Sequence, residues 1–422
     1  MNPGLRTDDL VGALVRGESP RKPSIVLGDR RWPLPAATER RWGAALSRVT
    51  PRNLWQIDRV LDEFARPDIA LHGVVEVLRP GGRIELTTRN TAFVDDAVAL
   101  VGGRWPPYGT NRPFRFFTAE SLTELAEACG IRVDSITQVA APPTDAERVA
   151  ELFGPEGGDR RHLLTLHGVR SARGDIPVPN VYGSVDDVDC APRPSDTCHD
   201  HDAELLAGRR RVVVIDPAPG TTRRLAALGH TVTVIDPLVP SKERQYAARV
   251  AVRDPNSACW SNSLEGQADA VLLGDVLGRV TDPVALIRSA HRCLDPSNDN
   301  ASVVIAVPNV AHADIRIALA SGRWTTRDNG ILDRTRLHHF TPATLEQLVR
   351  DADSAVVEQR ATLVKRGSSS DAEPGDKRAP KAWRAACDLD PTASLRTLTW
   401  ALAPRRLRRS GHGASSARTA LG

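Results

Sequence analysis

Lysine is scarce in this chain: only Lys22, Lys242, Lys365, Lys377 and Lys381 among 56 basic residues, the rest being arginine. That bias fits a GC-rich genome better than a phosphate-binding design. With 52 acids the net charge is only +4, too small to point to nucleic acid. No apolar run approaches the roughly 18–20 residues of a membrane span. The N-terminal stretch carries Asp8 and Asp9 where a signal peptide needs an unbroken apolar core, so a cytoplasmic protein is expected. The six cysteines (Cys129, Cys190, Cys198, Cys259, Cys293 and Cys387) show no C-x-x-C spacing, which fits reduced thiols rather than a disulfide framework or a zinc cage. One grouping, Cys198-His199-Asp200-His201, looks metal-like. It has no second half and lies in a Pro/Asp-rich stretch, so it reads as solvated linker and no metal is expected.

What is present is enough for two globular domains: 422 residues, 41% of them hydrophobic. The stretch around which the chain is organised is Arg211 to Pro237. A valine-rich run ends in Asp216, a Pro/Gly turn follows at Pro219-Gly220, then a helical segment and a second apolar run ending in Asp236. Strand, tight loop, helix and strand with an acid at its tip is the opening of a nucleotide-type βαβ unit. Further strands are expected at Val250–Arg253, Ala270–Leu273, Ser302–Val307, Ala355–Gln359 and Leu395–Ala401, with a polar insert at Gly367–Lys381 read as a surface loop.

The first half reads as a partial copy of the second. Strands are expected at Ser24–Asp29, around Ala44–Val49, and at Arg83–Thr87, Val133–Val139 and Arg161–Leu166. An amphipathic helix carries Ile69, Leu71, Val74, Val75 and Leu78 and is stopped by Pro80-Gly81-Gly82. A second helix is expected over Ala119–Cys129. Pro67 falls on Pro283 and Pro80 on Pro296, both at an offset of 216. Gly103-Arg104-Trp105 falls on Gly322-Arg323-Trp324 at 219, and Phe117-Thr118 on Phe340-Thr341 at 223. Offsets that grow only at loops are the mark of a diverged tandem duplication. Run backwards, the repeat sets Ile25–Asp29 on Val250–Asp254, so the first copy starts at its third strand and lacks the glycine loop. The expected domains are a partial copy over 1–170, a linker over 171–208, a nearly complete domain over 209–404 and a basic, disordered tail over 405–422.

Three stretches of the second domain resemble class I S-adenosylmethionine-dependent methyltransferases. VVVIDPAPGTT resembles the family's first motif, and ADAVLLGDVLGRVTDPVALIRSAHRCLDP its fourth strand and following helix. The stretch from Pro308 to Thr341 resembles a PN-x-x-H…DRT-x-L-x-x-FT pattern of methyltransferases found beside or fused to bacterial glycosyltransferases. The resemblance implies an α/β, Rossmann-like sheet of seven mostly parallel strands, S-adenosylmethionine as cofactor, and methyl transfer to a small polar or glycan-type acceptor. It also implies work beside a glycosyltransferase, with neither nucleic acid nor a membrane span involved.

Carried over, the family's three glycine positions fall on Ala218, Gly220 and Thr222, in a loop opened by Asp216 and stiffened by Pro217 and Pro219. Asp236 would accept the ribose hydroxyls, and Asp254 would face the adenine or simply make a turn. Gly274 and Asp275 would lie beside the transferred methyl, Asp275 in a catalytic role or as a cap. The family's acid-His pair reads Gly278-Arg279 here. His312 is the candidate base, with His338 or His339 in reserve. Asn309 would orient the acceptor or cap a helix, and Asp333 and Arg334 would bind the acceptor or pair with each other. Two other classes fit parts of the pattern: a degenerate non-catalytic module, because the loop is eroded, and an NAD-dependent oxidoreductase, because Asp236 also suits that ribose.

Overall fold

The computed structural model describes residues 24–25, 52–58, 61–105, 114–144, 147, 152, 159–171, 179, 181–182, 201–215, 220–235, 244–251, 253–257, 259–327, 330–363, 387–388 and 390–405. The chain divides into two compact units. Unit 1 comprises residues 1–102, 109–184 and 315–328, and unit 2 comprises 103–108, 185–314 and 329–422.

Unit 1 holds β1 (Ser24–Ile25), β2 (Arg52–Asp58), α1 (Pro67–Val77), β3 (Leu78–Arg89), α2 (Val94–Val101), α3 (Ala119–Ala128), β4 (Ile131–Ala140) and β5 (Arg161–Arg170). Its sheet runs β1-β2-β3-β5-β4, with β5 antiparallel to both neighbours. α1 starts on a proline, whose missing N–H costs nothing in a first turn. Its apolar face (Leu71, Val74, Val75) packs with Ile84, Leu86, Leu164 and Leu166 of the sheet. Asp68 is fully buried and locks the segment after β5: it pairs with Arg66 at 2.9 Å and accepts the backbone N–H groups of Val181 and Tyr182. Residues 181–182, read as linker from sequence, are therefore anchored to unit 1. The 315–328 segment is anchored there too. Buried Arg316 donates to the Val101 carbonyl, and the Trp324 ring lies 5.4 Å from that of Phe116.

Unit 2 holds α4 (Asp202–Leu205), β6 (Arg211–Ile215), α5 (Thr221–Ala227), β7 (Thr231–Ile235), β8 (Arg249–Ala251), β9 (Ala270–Leu272), α6 (Pro283–Cys293), β10 (Ser302–Pro308), α7 (Ala313–Ala320, assigned to unit 1 from Ile315), α8 (Pro342–Asp351), β11 (Ser354–Leu363) and β12 (Leu395–Pro404). All seven expected strands are present, in the order β11-β12-β10-β9-β6-β7-β8, with β12 antiparallel to its neighbours. The central strands are continuous apolar runs because both faces are covered. Val213, Ile215, Val271, Val303 and Ile305 pack on one face, and Val212, Val214, Leu272 and Val304 on the other. At the N-terminal end of the sheet, Asp269 accepts the backbone N–H groups of Arg210 and Arg211 and the Arg211 guanidinium at 2.7 Å. That leaves the C-terminal strand ends, the usual ligand edge of an open α/β sheet, for the site.

The two sheets share part of their strand order. The order β2-β3-β5-β4 in unit 1 corresponds to β9-β10-β12-β11 in unit 2. α3 and α8 begin with the same capping box, Thr118 with Ser121 and Thr341 with Thr344. Phe117 bridges to Asn90 as Phe340 bridges to Asn309. Gly130 and Asp353, 223 residues apart, both hold left-handed backbone before the next strand. One expectation is corrected. Ser24–Ile25 pairs directly with β2, the slot that β6 fills beside β9, not the outer-edge slot of β8. Two residues carry too little pattern to tell a first strand from a third. The strand expected around Ala44–Val49, the 367–381 insert, the 406–422 tail and Cys198 to Asp200 lie outside the described residues.

Candidate active site

The strand ends of β6 to β10 bring together three features. After β6, Gly220 stands in left-handed backbone (φ +85°) and opens α5, so glycine is required at the one family glycine position that keeps it. Thr222, at the third position, is fully buried. Asp216, Ala218 and Asp236 lie outside the described residues.

After β8, exposed Asp254 accepts the backbone and side-chain N–H groups of Asn256 at 2.8 and 3.1 Å, and its carbonyl accepts Ser257 N–H. It therefore shapes a turn. It also lines an open pocket of about 640 Å³ with Arg253, Ser257, Cys259, Trp260, Asn262 and Ser263. Arg253 donates to the carbonyls of Cys259 and Trp260 and holds the pocket loop in shape.

After β9, left-handed Gly274 (φ +39°) begins a 3₁₀ turn over Gly274–Gly278. Asp275 in this turn receives an arginine on each oxygen: Arg279 at 3.1 Å on Oδ2 and Arg336 on Oδ1. Arg279 also donates Nε–H to Thr335 Oγ1 at 3.1 Å and lies 3.6 Å from Asp333 Oδ2. Asp333 Oδ1 accepts the backbone N–H and the hydroxyl of Thr335 at 2.8 and 2.6 Å. Asp333 is thus engaged by Arg279 and Thr335 rather than by its neighbour Arg334, the pairing considered from sequence; Arg334 is half-buried. The Gly278 carbonyl accepts the N–H groups of Leu337 and His338. A Cβ on Gly278 would stand 3.2 Å from Arg336 Nη1 and 3.3 Å from the His338 carbonyl.

The same segment reaches β10, where Phe340 O accepts Val310 N–H. Asn309 is wholly buried. Its amide donates to the carbonyls of Thr392 and Leu395, both at 2.9 Å, and its oxygen accepts Ala311 N–H. Asn90 in unit 1 does the same for Asp159, the Arg161 carbonyl and Ala92 N–H. His312 is 1% exposed, with Nδ1 3.4 Å from Asp314 N and 3.5 Å from its carboxylate. His338 and His339 are buried, and burial pushes the His338 imidazole down to about 4, so it is neutral at pH 7. Sequence reasoning noted Gly278-Arg279 only as a departure from the family pattern, and missed Thr335 and Arg336. The i,i+4 spacing of Asp275 and Arg279 was the available signal for that pair, and nothing local signalled Arg336.

Residues 203–359 match the profile of a methyltransferase domain, and unit 2 has the seven mostly parallel strands that the resemblance implied, with one reversed strand. Unit 2 is a class I methyltransferase domain. The profile assigns methyl transfer to that domain. Among solved structures, the chain is similar to a Burkholderia thailandensis 1,6-didemethyltoxoflavin N1-methyltransferase (18% identity, 49% of this chain and 78% of that one, TM-score 0.32). It is also similar to an Archaeoglobus fulgidus SAM-dependent methyltransferase (15%, 48% and 90%, TM-score 0.33). The whole chain is similar to a Haemonchus contortus phosphoethanolamine N-methyltransferase 2 (10%, 95% and 98%, TM-score 0.33). No curated protein matches. Among the described residues no helix is long and apolar enough to cross a membrane, no acid, His or Cys cluster could hold a metal, and four cysteines are free thiols.

Proposed function

We propose that the methyltransferase domain transfers the methyl group of S-adenosylmethionine to a small polar or glycan-type acceptor, with the cofactor along the ends of β6, β7 and β8. The observation that carries the cofactor half of this reading is the pairing of left-handed Gly220 after β6 with the Asp254–Trp260 pocket after β8. The residues fit the cofactor. An exposed carboxylate suits an exocyclic amine, the indole offers an apolar wall, and the Gly220 turn lets backbone approach the amino acid end. Asp216, Ala218 and Gly220 would hold that end, Asp236 the ribose, Asp254 the adenine, and Gly274 the region of the methyl. The cofactor supplies an already activated leaving group, so this chain's residues have mainly to orient the acceptor and exclude water.

On the acceptor side, His312 is the proposed base, and Asp275, Asp333 and Arg334 belong to the wall. Asn309 is proposed to act by holding β10 against the start of β12. The acceptor class and work beside a glycosyltransferase rest on the resemblance of Pro308–Thr341. Cytoplasmic location belongs to the same proposal and rests on the free thiols. Unit 1 is proposed to be a tandem partial copy without a cofactor loop, supported by the matched Asn90 and Asn309 bonding.

Calorimetric titration with S-adenosylmethionine, S-adenosylhomocysteine and NAD tests the reading. The sulfonium and its product are expected to bind, and Asp236→Ala to abolish both. Binding of NAD instead, or of nothing at millimolar concentration, would refute it.

A further inference from the structure

The geometry points to Arg279 as a positioning residue for methyl transfer, an assignment that rests on the methyltransferase reading above. We propose that Arg279, with Arg336, clamps the turn after β9 to the segment Asp333–His338, so that the residues facing the methyl and the acceptor wall keep one register.

Four charged side chains meet here, Asp275, Arg279, Asp333 and Arg336, and all but Asp275 are less than a tenth exposed. Their charges cancel. Burying four ions carries a desolvation cost that their mutual attraction offsets only with good geometry, and apolar residues of similar volume commonly hold such a site at least as stably. Stability alone therefore does not account for the cluster. A fixed register does. Arg279 reaches from the turn to both Thr335 and Asp333 of the segment while holding Asp275, and Arg336 crosses back from the segment to Asp275.

Gly278 belongs to the same device. Its carbonyl takes two N–H groups from the segment, at 2.6 and 3.0 Å, and its missing side chain leaves room for Arg336 and the His338 carbonyl. The Gly278-Arg279 pair, a departure from the family pattern in sequence, is what lets the segment lie against the turn. A second consequence concerns charge. Each oxygen of Asp275 faces a guanidinium, so the carboxylate nearest the proposed methyl position is balanced within the protein.

The test uses the full chain with Arg279→Met, Arg279→Lys and Asp333→Asn, in three measurements. Arg279→Met leaves Asp333 buried without its cation, so its melting temperature is expected to fall, and the exchange and affinity readings are taken well below that temperature, where the variant is folded. Deuterium uptake at Leu337 and His338 should rise at least tenfold, confined to residues 274–279 and 333–338. The ratio of S-adenosylmethionine to S-adenosylhomocysteine affinity should change at least fivefold, because only the sulfonium brings a charge to Asp275. Arg279→Lys should restore that ratio but not the protection, since an ammonium lacks the fork that bridges both sides. Unchanged exchange at Leu337 and His338, or faster exchange spread evenly over unit 2 with a matching loss of stability, would overturn the proposal. Should Arg279→Met not fold, Asp333→Asn carries the same exchange expectation, while the affinity ratio should move the opposite way, because a negative charge is removed instead of a positive one. If the wild type binds neither ligand the methyltransferase reading fails, while the exchange measurement still decides the clamp.

Discussion

Replacing Asn309 by alanine separates an acceptor-binding residue from a fold clamp. The side chain fills a site with 0% exposure, and alanine would strip partners from three groups: the carbonyls of Thr392 and Leu395 and the Ala311 N–H. A buried polar group left unmade costs about 1–3 kcal/mol. Allowing for water at the two half-buried carbonyls, the loss should be about 3–5 kcal/mol. For a unit of this size that lowers the melting temperature by roughly 10 °C. Differential scanning calorimetry of Asn309→Ala beside Asn90→Ala is the assay, because Asn90 makes the matching bonds in unit 1. Each variant should lose stability by a similar amount, and S-adenosylhomocysteine should raise the melting temperature of Asn90→Ala as much as that of wild type. An Asn309→Ala protein that melts with wild type but no longer transfers methyl would refute the clamp and return Asn309 to the acceptor.

Gly278→Ala should cost about 1–3 kcal/mol in urea unfolding, because the new methyl meets Arg336 and a backbone carbonyl at 3.2 and 3.3 Å. No change in the urea midpoint would show that the segment moves freely. Burial pushes His291 and His338 down to about 4, against an unfolded value near 6.5. Their neutral burial stabilises fully above pH ~6.5 and is lost as pH falls toward 4, by about 2 kcal/mol per histidine between pH 6.5 and 5. Urea unfolding at pH 7 and pH 5 should show that slope, and His291→Gln should flatten it; an equal slope in the variant would rule His291 out as a source. Asp269 is held well below the usual carboxylate range, first by its bond to Arg211. It stabilises above pH ~4 and loses that contribution as pH falls further, so Asp269→Asn should show a shallower acid transition by circular dichroism.

The seven strands of unit 2 were legible because buried parallel strands are continuous apolar runs, and Val212–Ile215 and Ser302–Val307 have no other reading. Helix starts carry local signals: Asp282 accepts Ala285 N–H just ahead of Pro283, and the Thr341 box satisfies N–H groups with local atoms. The site was less so. Asp275 was found from its place after β9, but one partner, Arg336, lies 61 residues on and is brought there by the crossing of a segment, which leaves no periodicity. Asn309 was recognised as special without its task being readable, since its acceptors are carbonyls, which every residue has. Asp254 was readable as a turn residue or a ligand contact; it makes the turn and also lines the pocket.

The way the chain is shared between the units limits how it can be divided. Membership changes five times, after residues 102, 108, 184, 314 and 328. No single cut therefore releases either unit whole. A gene fragment beginning at 185 would encode the methyltransferase domain together with a 14-residue arm, 315–328, whose folding partner has been deleted. That arm carries Arg316 and Trp324, at 1% and 2% exposure in the intact protein, and a truncated protein would offer both to solvent and to its own neighbours. Aggregation on such truncation would come from this interleaving and would say nothing against the fold or the activity of either unit.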